Sequence, residues 1–153
     1  MRIGQGWDVH RMVPGRALML GGIQIPSEKG EDGHSDGDVL LHALIDALLG
    51  VDAKGDIGSH FPPSDMRWKD ADSKRLLGIV LEDFNHRIVN VDSTIVLERP
   101  HLRKHIDSIR ASLASLLGID IGDVSVKAKT AEHLFSELGD GDAITATVVI
   151  LVE

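Results

Sequence analysis

Between Val39 and Leu49 the chain is apolar at every position except His42 and Asp46. With Asp38 just ahead, the polar residues fall at i, i+4 and i+8, a single narrow stripe on a helix that is greasy over the rest of its circumference. Such a helix has to lie inside the molecule, since only burial on nearly all sides removes its surface from water. The stripe then needs polar partners, because an imidazole between two carboxylates is costly in an interior unless it is hydrogen-bonded or bound to a metal. Ser35 is placed to cap this helix with Asp38 at N3, and the stretch closes at Gly50. Taken alone, the helix reads more simply as carrying a solvent-facing stripe with one incidental His, because one imidazole is a thin ligand set.

The rest of the chain sets the bounds. Its 153 residues fit one domain, 1–153, long enough to bury a core without staples. Apolar residues make up 42% and charged ones 26%, an ordinary globular balance. There is no cysteine, so disulfides, thiolate metal sites and cysteine nucleophiles are excluded and any zinc must rest on His and carboxylate. A formal charge of −8 argues against a nucleic-acid surface, and the bases are not gathered in one patch. No run of about 18 apolar residues suggests a membrane span, and MRIGQGWDVH lacks a signal-peptide core, so a cytoplasmic location is expected. An anionic small-molecule substrate needs metal ions or local Lys and Arg to reverse the field.

Along the chain, residues 2–10 read as a strand in which Gly4 and Gly6 leave room for a close backbone neighbour. Asp8 and His10, two apart, share one face about 7 Å apart along the strand, and Trp7 and Val9 take the other. Ala17–Leu20 and Ile23–Ile25 flank Gly21-Gly22 as a hairpin, and Pro26–Gly33 reads as a polar loop. GDIGSHFPPSD (Gly55–Asp65) reads as a long Gly- and Pro-rich loop. A helix with Leu76, Leu77, Val80, Leu81 and Phe84 inward follows, then a strand over Ile88–Leu97. After Pro100, a helix carrying Ile106, Ile109, Leu113, Leu116 and Leu117 stops at Gly118. Val124–Lys129 alternates, with Val124, Val126 and Ala128 inward. A short helix is expected from near Thr130, and Ala143–Val152 is a closing strand after the Gly139-Asp140-Gly141 turn. The predicted fold is an α/β two-layer sandwich, a mostly four-stranded mixed sheet with helices on one face plus a small hairpin.

Four constellations can carry chemistry. Asp8 and His10 on a strand and His42 on a facing helix supply three ligands and leave a tetrahedral ion one open position, the catalytic arrangement for zinc. Lys129, Thr130 and Glu132 lie where a strand would exit into a helix N-terminus, an anion cradle in which Glu132 can hold a hard cation. In isolation the same residues read more simply as a Thr N-cap beside surface lysines. His34 and Ser35 precede the buried helix, where an anion is favoured, although Ser35 is also a plain N-cap. Asp56, Ile57 and Gly58 offer a carboxylate and exposed backbone to a sugar diol, or form a turn. No G-x-S-x-G elbow supports a serine triad.

Together, GQGWDVH (Gly4–His10), LGGIQIP (Leu20–Pro26), HSDGDVLLHALIDALLG (His34–Gly50), GDIG (Gly55–Gly58) and VKAKTAEHL (Val126–Leu134) resemble the 2-C-methyl-D-erythritol 2,4-cyclodiphosphate synthase family, in order and over nearly the whole chain. The resemblance implies a homotrimer with active sites between subunits, Zn2+ on Asp8, His10 and His42, and Mg2+ or Mn2+ between the substrate diphosphate and Glu132. It implies that the 2-phosphate of a 4-diphosphocytidyl-methylerythritol 2-phosphate attacks the β-phosphorus and expels CMP, with His34 and Thr130 stabilising the transition state. Asp8, His10, His34, Ser35, Asp56, Ile57, Gly58, Phe61, Ser64, Asp65, Pro100, Lys129, Thr130 and Glu132 would contact this cytidine diphosphate substrate, Pro100 receiving the cytosine.

The chain departs from the family in places. Gln5 stands where a His is frequent, Pro63-Ser64-Asp65 replaces a loop Asp after Phe61-Pro62, and Lys129 replaces an uncharged hydroxyl residue. Where the family commonly shows G-F-x-G-R, this chain reads Leu134-Phe135-Ser136-Glu137-Leu138-Gly139 without an Arg, which bears on whether a central trimer cavity can capture an isoprenoid diphosphate. Two other functional classes compete with the lyase. One is a non-catalytic trimeric module binding a nucleotide or isoprenoid diphosphate. The other is a metal-dependent phosphohydrolase that would place water at the open zinc position.

Overall fold

The computed structural model describes residues 1–153. Its spine is helix α1 (Val39–Val51), of whose 13 residues all but Asp46 and Gly50 are buried, as the apolar run requires. Strand β1 (Arg2–Pro14) lies against it, with Gly4 and Gly6 turned toward the helix and Ile3, Gln5, Trp7 and Val9 turned away. The approach is close enough to demand glycine. A Cβ on Gly4 or Gly6 would stand 1.9 Å from the carbonyl oxygen of Ala47 or Ala43.

Around this pair the chain builds a five-stranded mixed sheet in the order β4-β1-β7-β5-β6, where β4 is Lys29–Asp32, β5 Ile88–Val96, β6 Val124–Lys129 and β7 Ala143–Val152. Only β5 and β6 run parallel; β1 pairs antiparallel with β4 and β7, and β7 with β5. Helices α1, α3 (Ser73–Glu82) and α4 (Ile106–Leu117) contribute to one core with the inward residues of the sheet. Leu76, Leu77 and Val80 of α3 and Ile109 and Leu113 of α4 are buried, and Gly118, at φ 66°, ends α4 in the left-handed conformation glycine favours. The hairpin β2 (Leu18–Leu20) and β3 (Ile23–Ile25) forms around Gly21-Gly22, both at positive φ.

The structure corrects four local expectations. The fifth strand, β4, arises within the supposed polar loop Pro26–Gly33. It lacks an alternating pattern because its inward residue is Glu31, fully buried with Oε1 accepting from the Val39 N–H at 3.1 Å. Asp38 rather than Ser35 is the N-cap of α1. Gly37, at φ 79°, interrupts any earlier helical turn, and the Asp38 carboxylate accepts from Leu41 N–H at 3.0 Å and from the hairpin's Gly21 and Gly22 N–H groups at 3.0 and 2.7 Å. Ala128 is exposed at the end of the edge strand β6. No helix starts near Thr130 either. Glu132, His133, Phe135 and Ser136 all take positive φ, and the one-turn helix α5 (Glu137–Asp140) begins later. This segment folds back so closely that a Cβ on Gly139 would meet His133 at 2.4 Å, while buried Glu98 accepts from the Ala131 N–H at 3.1 Å. Tertiary contacts here override the local helix signal.

Candidate metal centre

Asp8 and His10 project from the helix-facing side of β1, just past the two glycines, and His42 lies one turn into α1. The three side chains meet at one point. Asp8 Oδ2 is 2.8 Å from His10 Nε2 and 3.0 Å from His42 Nδ1, and the two imidazole nitrogens are 3.1 Å apart. The glycines explain the convergence, because they let the backbones of β1 and α1 approach until short side chains from both elements touch.

The donor set fits a divalent cation. His10 Nδ1 lies 3.2 Å from the Asp32 carbonyl of β4, which accepts a hydrogen bond from that nitrogen; with its proton held there, a neutral His10 has the Nε2 lone pair aimed inward. A tetrahedral zinc with bonds of about 2.1 Å spaces its ligand atoms roughly 3.4 Å apart, so these donors need to spread by only a few tenths of an ångström. The electrostatics agree. Burial opposes the charge on Asp8, but in their protonated form the His10 and His42 imidazoles donate to it and attract it, which outweighs burial and holds the carboxyl well below the usual carboxylate range; a bound cation would stand where those protons do. Burial likewise works against a charged His10, and the Asp8 carboxylate and the Asp32 carbonyl more than offset it, raising the imidazole above its ordinary value.

The polar stripe of α1 divides into three roles. Asp38 anchors the hairpin, His42 enters the cluster, and Asp46 accepts from the Ile57 N–H at 2.7 Å, fastening the short helix α2 (Ile57–His60) over the spine. Fastened there, α2 forms one wall of a cavity of about 210 Å3 that includes the three candidate ligands, His34 and Ser35, together with Ile57, Gly58 and Phe61. Pro63, Trp68 and Leu76 complete it. Phe61 meets Trp68 edge-on with ring centroids 5.0 Å apart, an apolar wall that sequence reasoning found only through Phe61.

Other expected residues lie elsewhere. Asp56 caps α2 through Ser59, with its oxygen 2.8 Å from Ser59 N and 2.6 Å from Ser59 Oγ, and is solvent-exposed at the rim. Ser64 and Asp65 do not line the cavity, and Asp65 is paired with Arg67 at 2.5 Å. Pro100 lines a wider polar cavity of about 730 Å3 with Lys29, Arg99, His101 and Asp140. Lys129, Thr130 and Glu132 sit at the end of β6, where the Thr130 hydroxyl donates to Glu132 Oε1 at 2.7 Å. Two strands intervene between β1 and β6, placing their axes about 14 Å apart, too far for one diphosphate to bridge within a single chain. Sequence reasoning also missed the neighbours of His42 Nε2, Ser35 Oγ at 3.1 Å and Ser73 Oγ at 3.0 Å. Nothing near Ser73 in the sequence marks it beyond its place after the α3 cap, Asp72.

Comparison with known proteins is consistent along the whole chain. Residues 1–153 match the YgbB family. The 2-C-methyl-D-erythritol 2,4-cyclodiphosphate synthase of Laribacter hongkongensis is 50% identical over 156 residues, covering 100% of this chain and 96% of the relative. That of Salinibacter ruber is 56% identical over 137 residues, covering 88% and 87%. Among solved structures, a 2C-methyl-D-erythritol-2,4-cyclodiphosphate synthase in its CDP-bound form superposes with a TM-score of 0.90 at 35% identity, covering 99% of this chain and 100% of that one.

Proposed function

Because this chain belongs to the YgbB family, we propose that it acts as a 2-C-methyl-D-erythritol 2,4-cyclodiphosphate synthase, a phosphorus–oxygen lyase of isoprenoid precursor biosynthesis. The observation that carries the reading is the meeting of Asp8 Oδ2, His10 Nε2 and His42 Nδ1 within 3.1 Å of one another at a cavity. In the reaction, an oxygen of the substrate's 2-phosphate forms a bond to the β-phosphorus of its diphosphate. The bond from that phosphorus to the oxygen shared with the α-phosphate breaks, and CMP leaves with the electron pair. Nucleophile and leaving group both belong to the substrate, so the protein needs no strong base. It needs a rigid cradle that aligns the attack and neutralises charge.

Each residue then has a defined task. Asp8, His10 and His42 hold Zn2+, which when bound supplies positive charge to the phosphoryl oxygens as a Lewis acid. Glu132 would hold Mg2+ or Mn2+, whose charge would let a chain of charge −8 accept a polyanion. His34 donates to the oxygens on which charge develops, Thr130 joins it once its hydroxyl turns from Glu132 to the substrate, and Lys129 adds a local positive charge. Ser35 orients the phosphate, while Asp56, Ile57 and Gly58 hold the ribose. Phe61 borders the erythritol, Ser64 and Asp65 would reach it only by movement of their loop from its place outside the cavity, and Pro100 receives the cytosine.

The separation of the two groups of residues supports a homotrimer in which the metal half of each site comes from one subunit and the Thr130 half from its neighbour. The uncovered sheet face, with Ile3 70% and Trp7 55% exposed, supports association as well. No helix is long and apolar enough to cross a membrane, and we place the enzyme in the cytoplasm.

Phosphorus NMR of the candidate substrate incubated with the protein and both metals tests the reading. A cyclic diphosphate released with CMP is expected. A ring-opened product would instead identify a phosphohydrolase, and binding without turnover a non-catalytic nucleotide module.

A further inference from the structure

The side of His42 turned away from Asp8 is held by a small network in which only Ser35 has a part in the proposed reaction. His42 Nε2 faces two hydroxyls, Ser35 Oγ at 3.1 Å and Ser73 Oγ at 3.0 Å. Ser73, the first residue of α3, is fully buried, and both of its donors go to one carboxylate. Its hydroxyl donates to Asp36 Oδ1, and its N–H to Asp36 Oδ2 at 3.1 Å. Asp36 Oδ1 also accepts from the Asp38 N–H at 3.2 Å. The flanking backbone is stitched in the same place, Asp70 N–H to the His34 carbonyl at 2.8 Å and Asp36 N–H to the Ala71 carbonyl at 3.1 Å.

This arrangement decides where the proton of neutral His42 sits. A hydroxyl has one proton to donate, and that of Ser73 is committed to Asp36. The contact between Ser73 Oγ and His42 Nε2 is therefore a hydrogen bond only if Nε2 carries the proton and donates it. Nδ1 is then left with its lone pair pointing at Asp8 and His10, the form in which imidazole binds a metal. Ser35 alone does not impose this. Its Oγ accepts from the Gly37 N–H at 3.2 Å, and its hydroxyl is free to rotate and donate to Nε2, which would put the proton on Nδ1 against the Asp8 carboxylate.

We propose that Asp36 and Ser73 are positioning residues of the metal centre: the Asp36 carboxylate, acting through the Ser73 hydroxyl, fixes His42 in the Nε2–H tautomer and so presents Nδ1 to the metal. The same carboxylate ties the His34 loop to the start of α3, coupling the orientation of the ligand to that of the His34 side of the cavity. The inference rests on the metal reading of Asp8, His10 and His42, but its first test does not.

Histidine long-range nitrogen–proton NMR on the metal-stripped protein, at a pH above the imidazole range, reads each tautomer directly. The wild type should show Nε2–H at His42 and Nδ1–H at His10, whose partner is the Asp32 carbonyl. In Ser73→Ala and in Asp36→Asn a population of His42 should move to Nδ1–H while His10 stays as it is, and Ser73→Thr, which keeps the hydroxyl, should restore the wild-type pattern. In chelator competition with Zn2+ alone, the first two variants should bind about 10–100-fold more weakly, the range expected for lost outer-shell partners. Should Ser73→Ala fail to fold because its site is buried, Asp36→Asn and the wild-type spectrum still decide. Nδ1–H at His42 in the wild type, or zinc affinity in Asp36→Asn within twofold of wild type, would overturn the proposal. Wild-type protein that takes up no zinc would overturn the metal reading instead, and the His42 spectrum would stand apart from that result.

Discussion

Single residues carry effects here that are out of proportion to their size. Gly6 has no space for a methyl group, because the Cβ would meet the Ala43 carbonyl at 1.9 Å. Gly6→Ala should therefore force β1 and α1 apart, costing on the order of 3 kcal/mol in urea unfolding. It should also weaken zinc binding, since Asp8 and His10 ride on the same strand. His42→Ala should lose bound zinc in metal analysis and nearly all cyclisation, and turnover at the wild-type rate in metal-stripped buffer would exclude this role. Glu31 is a different case, a fully buried carboxyl with one oxygen, Oε2, that no group meets. Burial, with the nearby Asp38 charge adding to it, raises its pKa well above 4.5, so the folded protein keeps a proton that the unfolded chain releases. Its stabilising contribution is complete below about 4.5, declines as pH rises toward the raised folded value, and levels off above it. Glu31→Gln keeps an acceptor for the Val39 N–H but cannot ionise. Its urea midpoint relative to wild type should rise between pH 5 and pH 8, and a constant difference would show that Glu31 is ionised in the fold.

At the level of elements, α1 organises everything that touches it. Its apolar sides bury Leu40, Leu41, Leu44, Ile45 and Leu48 completely, each worth about 1.5–3 kcal/mol of transfer free energy. Its polar stripe then distributes the neighbours, with the hairpin at Asp38, the metal group at His42 and α2 at Asp46. The Asp46 bond is what holds α2, a single turn with no buried residue of its own. Asp46→Ala removes a charged acceptor from the Ile57 N–H, a loss of about 1.5–3 kcal/mol to the local latch. The Ile57 amide should exchange with deuterium faster, and KM should rise about tenfold with a smaller change in kcat, because α2 carries the residues proposed to hold the ribose and none of the proposed metal ligands. An unchanged KM would separate α2 from substrate binding.

The whole molecule poses a question of completeness. Asp8, His10 and His42 lie on β1 and α1 while Thr130 and Glu132 lie beyond β6, two strands away across the sheet, so the proposed site is split between two places in one chain. If neighbouring copies join unlike halves, a mixture of two inactive variants should recover activity. Equal amounts of His42→Ala and Thr130→Ala, allowed to exchange subunits, should yield about a quarter of sites with both halves intact. No recovery after verified exchange would mean that each site is built within one chain. The outer sheet face gives an independent check. Trp7→Glu places a charge among exposed apolar groups, and sedimentation should show a smaller species than the trimer proposed for the wild type, with loss of activity.

What could be read without coordinates was what the side-chain pattern encodes locally. The run from Val39 to Leu49 required an interior helix, alternation placed Asp8 beside His10, and Gly21-Gly22 marked a hairpin; all three follow from periodicities of 3.6 and 2 and from glycine's access to positive φ. The β4 strand escaped notice because its inward residue is a carboxyl, and the turn after Thr130 because its backbone is shaped by Gly139 and Glu98 rather than by its own residues. Trp68, Ser73 and Asp36 reached the site for the same kind of reason, through packing between segments more than thirty residues apart in the chain. Composition and spacing determined which groups were available for chemistry. Only the tertiary structure decided which of them meet, because a hydrogen bond or a ligand triangle is a matter of a few tenths of an ångström between elements whose relative placement no local pattern specifies.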